Sequence, residues 1–354
     1  MVNSILKIGA VIPLSGVAGL FGPSCCNCIR LGIRDINRRG GIGGRSVEAV
    51  FIDGGQRPAD VAKNVNTLLQ LKAVDALIGM HDSDVRTAIL DLDDLAIPYI
   101  YTPTYEGGET APGVFMLGET PRQQLKPVIP WLMAEKQVSR WYLIGNDYSW
   151  PRKLNGLARC FIREEGGEVA GEHYVAFGTE DFSPFLEDIR ESNADAVLVA
   201  LVGADSVAFN RDFAEAGLAE RALRFGPLVE ENTLLAMGAS AGAGLYTASA
   251  YLAAIEREEN QAFLTEYNAL FGADAPVVTS LAQSCYEAVV FLEKLVGKAG
   301  SLDAALEKAS EGLTYQGVRG AVTMTGRHLV QSIHLAEVDG FEFQIVADFD
   351  SVSP

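Results

Sequence analysis

Apolar residues along this chain come in short blocks, and the blocks alternate with amphipathic stretches almost from the first residue. Lys7 to Pro13, Ser46 to Ile52, Ala73 to Gly79 and Ile97 to Tyr101 are rich in Ile and Val. They are short enough to be strands buried on both faces, the pattern of a parallel sheet. Between the first two, a helix is predicted to open near Gly22 and Pro23 and to end at Asn37, where Arg38, Arg39, Gly40 and Gly41 supply terminal cations and a glycine stop. Ile29, Leu31 and Ile36 give it an apolar face for the sheet.

The rhythm then restarts. Strand-like Arg140 to Gly145, Glu168 to Val175, Ala194 to Leu201, Leu223 to Leu228 and Gly244 to Thr247 are separated by helical patterns at Pro151 to Glu165, Phe182 to Glu191 and Asp205 to Ala216. Helical spacing returns at Asn260 to Phe271, Ala282 to Ala299 and Leu302 to Ser310, and the chain finishes in strand-like Ser332 to Val338 and Phe341 to Ala347. The expected fold class is α/β, with two doubly wound parallel-sheet lobes. At 354 residues the chain exceeds what one hydrophobic core usually supports. No low-complexity linker divides it, so the lobes should be joined by several crossing strands, a multi-strand hinge.

Charge and composition remove several function classes. With 28 basic and 46 acidic residues the formal charge is −18, which repels a phosphate backbone or an anionic membrane. No direct nucleic-acid partner is expected. No apolar run reaches the roughly 18 to 20 residues of a membrane helix, so membrane insertion is not expected either. The amino terminus moves from Met1 through Asn3 and Lys7 straight toward the first strand. That predicts a cytoplasmic protein if Met1 is the native start, and a periplasmic one if a signal peptide was removed.

Cysteine chemistry and catalysis are both disfavoured. Cys25, Cys26 and Cys28 crowd one turn, Cys160 and Cys285 lie far off, and the odd total of 5 argues mildly for a reducing compartment. Zinc needs four ligands, and none of His81, His173, His328 and His334 lies near the cysteine group, so no metal is expected. The glycine runs at 40–44 and 238–244 lack the pattern of a dinucleotide site, and no cofactor is expected. Ser83 as a nucleophile would need a base held by a third group, and His81 sits only two residues away. The chain is expected not to be an enzyme.

Four segments, in this order and spacing, carry a resemblance: Ile8 to Gly16 (IGAVIPLSG), Asp35 to Gly44 (DINRRGGIGG), Tyr101 to Gly108 (YTPTYEGG) and Gly145 to Asn155 (GNDYSWPRKLN). The chain resembles the type I periplasmic-binding-protein fold, in the branch that binds branched-chain amino acids, amides and urea. Leu228 to Leu234 (LVEENTL), 251–272 and 328–346 extend the likeness over nearly the whole sequence. Within the branch it is most similar to the cytoplasmic amide sensor that regulates an aliphatic amidase and to importer receptors for urea and short-chain amides.

The resemblance implies a first lobe of residues 1–120 plus 252–328 and a second of 121–251 plus 329–354, with the ligand in the cleft between them. The implied function is a non-enzymatic solute-binding protein that closes on a small amide, urea or amino-acid ligand. It would act as a sensor with a regulatory protein partner, or as a receptor delivering solute to the membrane subunits of an ABC transporter; a homodimer stays open.

A parallel sheet offers ligands the loops at the carboxy ends of its strands, where helices begin with unpaired N–H groups. After Gly79 come His81 and Ser83, with a helix expected from about Asp84. The hydroxyl and free amides there suit a carboxylate or carbonyl oxygen, the alternative being a plain helix cap. By resemblance Ser83 matches the family's ligand-holding serine. Tyr101, Thr102 and Thr104 offer an aromatic wall and two hydroxyls; in amino-acid-binding relatives this loop grips the ligand carboxylate, and the alternative is a rigid turn. Tyr148 and Trp150 flank Ser149, and alternate spacing would put both rings on one side of a loop as the far wall, or else bury one in the core. Glu230 or Glu231 would take a ligand ammonium, as the resemblance implies, or else be solvated acids at a helix start. Phe21 and Val202, beside Gly203, complete the set by position after their strands.

Overall fold

The computed structural model describes residues 5–93, 95–302 and 305–354. Met1 and Asn3 of the expected lead-in, and positions 303 and 304 of the expected 302–310 helix, lie outside the described residues. The chain runs through β1 (Leu6–Ile12), α1 (Gly22–Arg38), β2 (Val47–Asp53), α2 (Pro58–Gln70), β3 (Ala76–Gly79), α3 (Ser83–Leu90), β4 (Tyr99–Tyr101) and β5 (Val114–Met116). These strands pair in parallel in the order β2-β1-β3-β4-β5.

After α4 (Pro121–Glu135) the same plan is repeated: β6 (Arg140–Asn146), α5 (Ser149–Glu164), β7 (Glu168–Val175), α6 (Ser183–Ser192), β8 (Ala196–Ala200), α7 (Gly203–Glu215), β9 (Leu223–Phe225), α8 (Glu231–Met237) and β10 (Leu245–Ser249). Their order, β7-β6-β8-β9-β10, is again parallel and reproduces the winding of the first half strand for strand. Each half therefore has its own switch point, beside its first strand, where the connections change direction.

The last third of the chain stitches the halves together. It comprises α9 (Glu258–Phe271), α10 (Ser280–Ala299), α11 (Leu306–Ser310), β11 (Thr314–Gly317), β12 (Gly320–Thr325), β13 (His328–Asp339) and β14 (Glu342–Val352). β13 pairs in parallel with β5 at His328 and Met116, then antiparallel with β10 from His334 to Glu337. One strand thus belongs to both half-sheets. The other two crossings are 117–120, between β5 and α4, and 250–257, between β10 and α9.

Burial explains the strands. β3, β4, β5, β8 and β10 are buried at every position, as apolar strands covered by helices on both faces must be. α1 lies on α10, and Gly32 permits the approach: a Cβ there would come within 3.1 Å of Val289.

α4 is among the elements the pattern does not predict, with Pro127 and Pro130 inside it as breakers. Thr120 and Gln123 form a reciprocal capping box at its start, and Leu125, Val128, Ile129 and Leu132 are buried. Those gains offset the missing N–H groups. Gln123 Nε2 donates to the carbonyls of Leu329 (2.9 Å) and Val352 (2.8 Å), and Gln124 Nε2 to those of Pro227 (2.9 Å) and Ala248 (2.8 Å). The start of α4 therefore fastens the crossings to the second half-sheet.

Candidate ligand-binding site

A cavity of about 350 Å³ lies where the two half-sheets face each other. Its wall follows one rule. Pro13, Gly54, Met80 and Tyr101 stand at or just past the carboxy ends of β1 to β4, and Tyr148, Phe177, Val202 and Leu228 just past those of β6 to β9. Leu281, in the first turn of α10, closes the floor. Most of this surface is apolar or aromatic, with a few convergent polar groups, the usual make-up of a small-molecule pocket.

His81, Ser83, Tyr101, Thr104, Tyr148, Phe21 and Val202, all singled out in the sequence, line the cavity. Ser83 is the first residue of α3, one earlier than the expected start, and the cap is Asp82, whose side chain accepts from the Val85 N–H at 2.8 Å. Ser83 is thereby relieved of capping. Glu106 and Tyr101 are polar neighbours of its hydroxyl. Thr104 and Tyr148 make no side-chain hydrogen bond among the described residues. Burial, with Tyr101, Asp82 and Glu106 nearby, pushes the Tyr148 phenol far up, so it stays a protonated donor.

Three of the named residues do not reach the wall. The Thr102 hydroxyl turns inward to the Gly79 carbonyl, 3.3 Å away, and to Cys285 Sγ, 3.7 Å away. Trp150 is buried in the core because the chain becomes helical at Ser149, so that Tyr148 and Trp150 no longer alternate as they would in an extended loop. Glu230 is buried beneath the floor, where Oε1 accepts from the Leu281 N–H at 2.9 Å. Its neighbour Glu231 reaches Ala253 N–H at 2.8 Å and does not line the cavity either. Neither glutamate is a solvated helix-start acid: burial drives Glu230 well above the ordinary carboxylate range and Glu231 up to about 7.

The structure adds wall residues the sequence reading missed. Gly54 to Pro58 and Phe177 follow strand ends, so the same positional rule would have found them. Leu281 carries no such signal; tertiary contact alone brings it there. Phe177, 42% exposed, stacks against Tyr148 at 5.1 Å and sits where a ligand can meet both rings. Asn146 orders this side: its Oδ1 accepts from Val202 N–H at 2.8 Å and its Nδ2 donates to Asp205 at 2.7 Å.

The halves touch across the cavity. A Cβ on Gly203 would fall 2.2 Å from the Val17 carbonyl, so the loop after β8 lies directly on the loop after β1. Asn232 Nδ2 donates to the Leu20 carbonyl at 3.2 Å. Both contacts fall on the 17–20 segment that follows β1.

Residues 5–342 match the periplasmic binding protein family model. The chain belongs to that family. Among curated relatives, the Leu/Ile/Val-binding protein homolog 6 of Brucella melitensis is 25% identical over 348 residues, covering 94% of this chain and 87% of the relative. Among solved structures, the ABC-transporter solute-binding protein of Rhodopseudomonas palustris HaA2 in complex with p-hydroxybenzoic acid superposes with a TM-score of 0.90 at 22% identity, covering 99% of this chain and 98% of that one. The branched-chain amino acid transporter substrate-binding protein LivJ of Streptococcus pneumoniae, in complex with isoleucine, superposes with 0.85 at 18% identity, covering 99% and 100%.

This periplasmic binding protein therefore has the type I fold of its family, and it is a solute-binding protein, not an enzyme. Among the described residues no helix is long and apolar enough to cross a membrane, and no group of three or more His, Cys, Asp or Glu side chains is placed to hold a metal ion. All 5 cysteines are free; burial raises the thiol pKa of Cys25, Cys26 and Cys28, which keeps them protonated.

Proposed function

We propose that the protein is the receptor of an ATP-driven importer and that it closes two lobes, 1–120 with 252–328 and 121–251 with 329–354, on a small aromatic carboxylate. The observation that carries this reading is the cavity itself: rings from both halves (Phe21, Tyr101, Tyr148, Phe177) surround the hydroxyls of Ser83, Thr104 and Tyr148. Such a wall suits a flat apolar body bearing one acceptor group. The start of β13 in one half-sheet and its continuation in the other support the lobe division.

Glu230 argues against a free amino acid, because it does not line the cavity and its Oε1 accepts from the Leu281 N–H beneath the floor. Of the carboxylates on the wall, Asp82 is spent on capping α3 and Asp84 is exposed. An ammonium would find no dedicated buried partner. A cavity of roughly 150 Å³ is enough for benzene, so about 350 Å³ accommodates a monocyclic hydroxy acid. The hydroxybenzoate, benzoate and dihydroxybenzoate complexes of structurally similar Rhodopseudomonas receptors are consistent with that class.

The test is a thermal-shift panel of benzoate, 4-hydroxybenzoate, isoleucine, acetamide and urea. Stabilisation follows ligand concentration over Kd, reaching about 2.7 kcal/mol at a hundredfold excess over Kd. The benzoates should raise Tm. A shift with isoleucine or acetamide and none with either benzoate overturns the ligand class. A second reading, a ligand sensor in a reducing compartment, is favoured by the free cysteines. Co-purification with a regulatory protein, released by ligand, would select it over the importer.

A further inference from the structure

We infer that Glu106 is a positioning residue that couples occupation of the cavity to closure of the two halves. It does so by holding Ser149, the neighbour of Tyr148 on the wall from the second half, while Arg86 anchors it to Tyr101 on the wall from the first. The inference rests on the reading of this cavity as the ligand site.

Glu106 lies in the loop after β4 and is absent from the cavity wall. Its Oε2 accepts from Arg86 Nη2 at 2.6 Å, and its Oε1 accepts from Ser149 Oγ at 2.7 Å. Ser149 is the first residue of α5 and the immediate neighbour of Tyr148, whose ring is part of the far wall. One carboxylate thus ties the first half to the residue that brings Tyr148 over the ligand.

Glu106 bridges the Arg86 guanidinium and the Ser149 hydroxyl. Tyr101 lies under Arg86 and Tyr148 beside Ser149, so a ligand that meets both rings adds its contacts to the latch only when the halves are together. Closure is then worth more with ligand bound than without, and only such differential contact lets a ligand shift the population.

Arg86 keeps the carboxylate ionised and aimed. Burial alone would raise the Glu106 pKa, but the adjacent guanidinium and the nearby hydroxyls of Ser83 and Ser149 bring it below the ordinary value. Arg86 is itself held over the Tyr101 ring, 4.8 Å from its centroid, with Nε and Nη1 buried and without hydrogen-bond partners. Among the described residues Glu106 supplies its one short contact, while Glu109 stands 3.6 Å from Nε.

The test uses Ser149→Ala, which leaves the Arg86 and Glu106 pair intact, beside Glu106→Gln. Small-angle scattering of the unliganded proteins reads closure without any ligand, and both variants should have a larger radius of gyration than the native chain. Stopped-flow binding of 4-hydroxybenzoate should show dissociation faster by roughly tenfold in each, the scale of one hydrogen bond to a charged group, with association changed less than about threefold. The double variant should be no worse than Glu106→Gln alone. A native radius of gyration in both single variants overturns the coupling, as does a loss in the double variant equal to the two single losses combined. Larger radii with no binding of 4-hydroxybenzoate to the native protein leave the latch standing and overturn the ligand class instead.

Discussion

The Tyr99 hydroxyl lies 2.8 Å from Nε2 of His81, and on the other side of that ring Nδ1 lies 3.0 Å from the carbonyl of Asp82. A carbonyl only accepts, so the geometry assigns the proton to Nδ1 and makes Nε2 the acceptor of the tyrosine O–H. The ring fits closely: a Cβ on Gly79 would come within 2.6 Å of Nε2. His81 is thus a neutral, oriented support for the wall rather than a charged ligand contact.

Its titration should show in stability. Burial pushes the His81 pKa down to about 4 from an ordinary 6.5. Because the folded value is the lower one, the contribution is complete above pH 6.5 and is lost as pH falls through about 4, on the order of 3 kcal/mol in all. Chemical denaturation between pH 7 and pH 4 should show this acid limb. His81→Gln should flatten it, and an unchanged limb in that variant assigns the loss to other groups.

Glu230 should behave as a protonated acid in the folded protein, since burial raises its pKa so far. Glu230→Gln keeps an acceptor for the Leu281 N–H and should change stability by less than about 1 kcal/mol at pH 7. Glu230→Ala strips that amide of its partner and opens a void, and should cost about 2 to 4 kcal/mol. Urea denaturation of the two variants checks the contrast. Equal losses would mean that the charge matters, and would return Glu230 to the site as a binding group.

How far the residues themselves announced this arrangement can be judged from α5 and α3. Apolar blocks bounded by glycine made both half-sheets legible, and strand ends located Ser83, Thr104, Tyr148 and Val202 on the wall. What failed was local geometry. Trp150 was expected beside Tyr148 because alternation was assumed, whereas the helix begins at Ser149 and rotates the indole into the core. Thr102 and Thr104 share a side chain and a loop, and only the backbone path decides that one faces Cys285 and the other the cavity. α4 was hidden by its prolines, and Leu281 by its distance along the chain.

Substitutions on the wall should separate grip from enclosure. Ser83→Ala removes a donor to the ligand and should lower affinity for the stabilising benzoate roughly tenfold, the scale of a hydrogen bond to a charged acceptor. Tyr148→Phe keeps the ring against Phe177 and loses only the hydroxyl, so its loss should be smaller than that of Tyr148→Ala. Calorimetric titration measures all three. Unchanged affinity in the Ser83→Ala, Tyr148→Ala double variant would remove these two residues from the site.

Glu231 supplies the alkaline counterpart of His81. Its Oε1 accepts from the Ala253 N–H in the crossing that follows β10, its Oε2 is buried without a partner, and burial lifts its pKa from 4.5 to about 7. The folded value is the higher one here, so the contribution is complete below pH 4.5 and disappears as pH rises through about 7, again on the order of 3 kcal/mol. Glu231→Gln retains the acceptor and cannot ionise. The variant should therefore match the native protein near pH 4.5 and exceed its stability at pH 8, a difference that thermal melts at the two pH values read directly. Because the acid sits against a crossing between the half-sheets, a gain of equal size at both pH values would show that packing around Ala253, and not ionisation, sets the cost of this carboxyl.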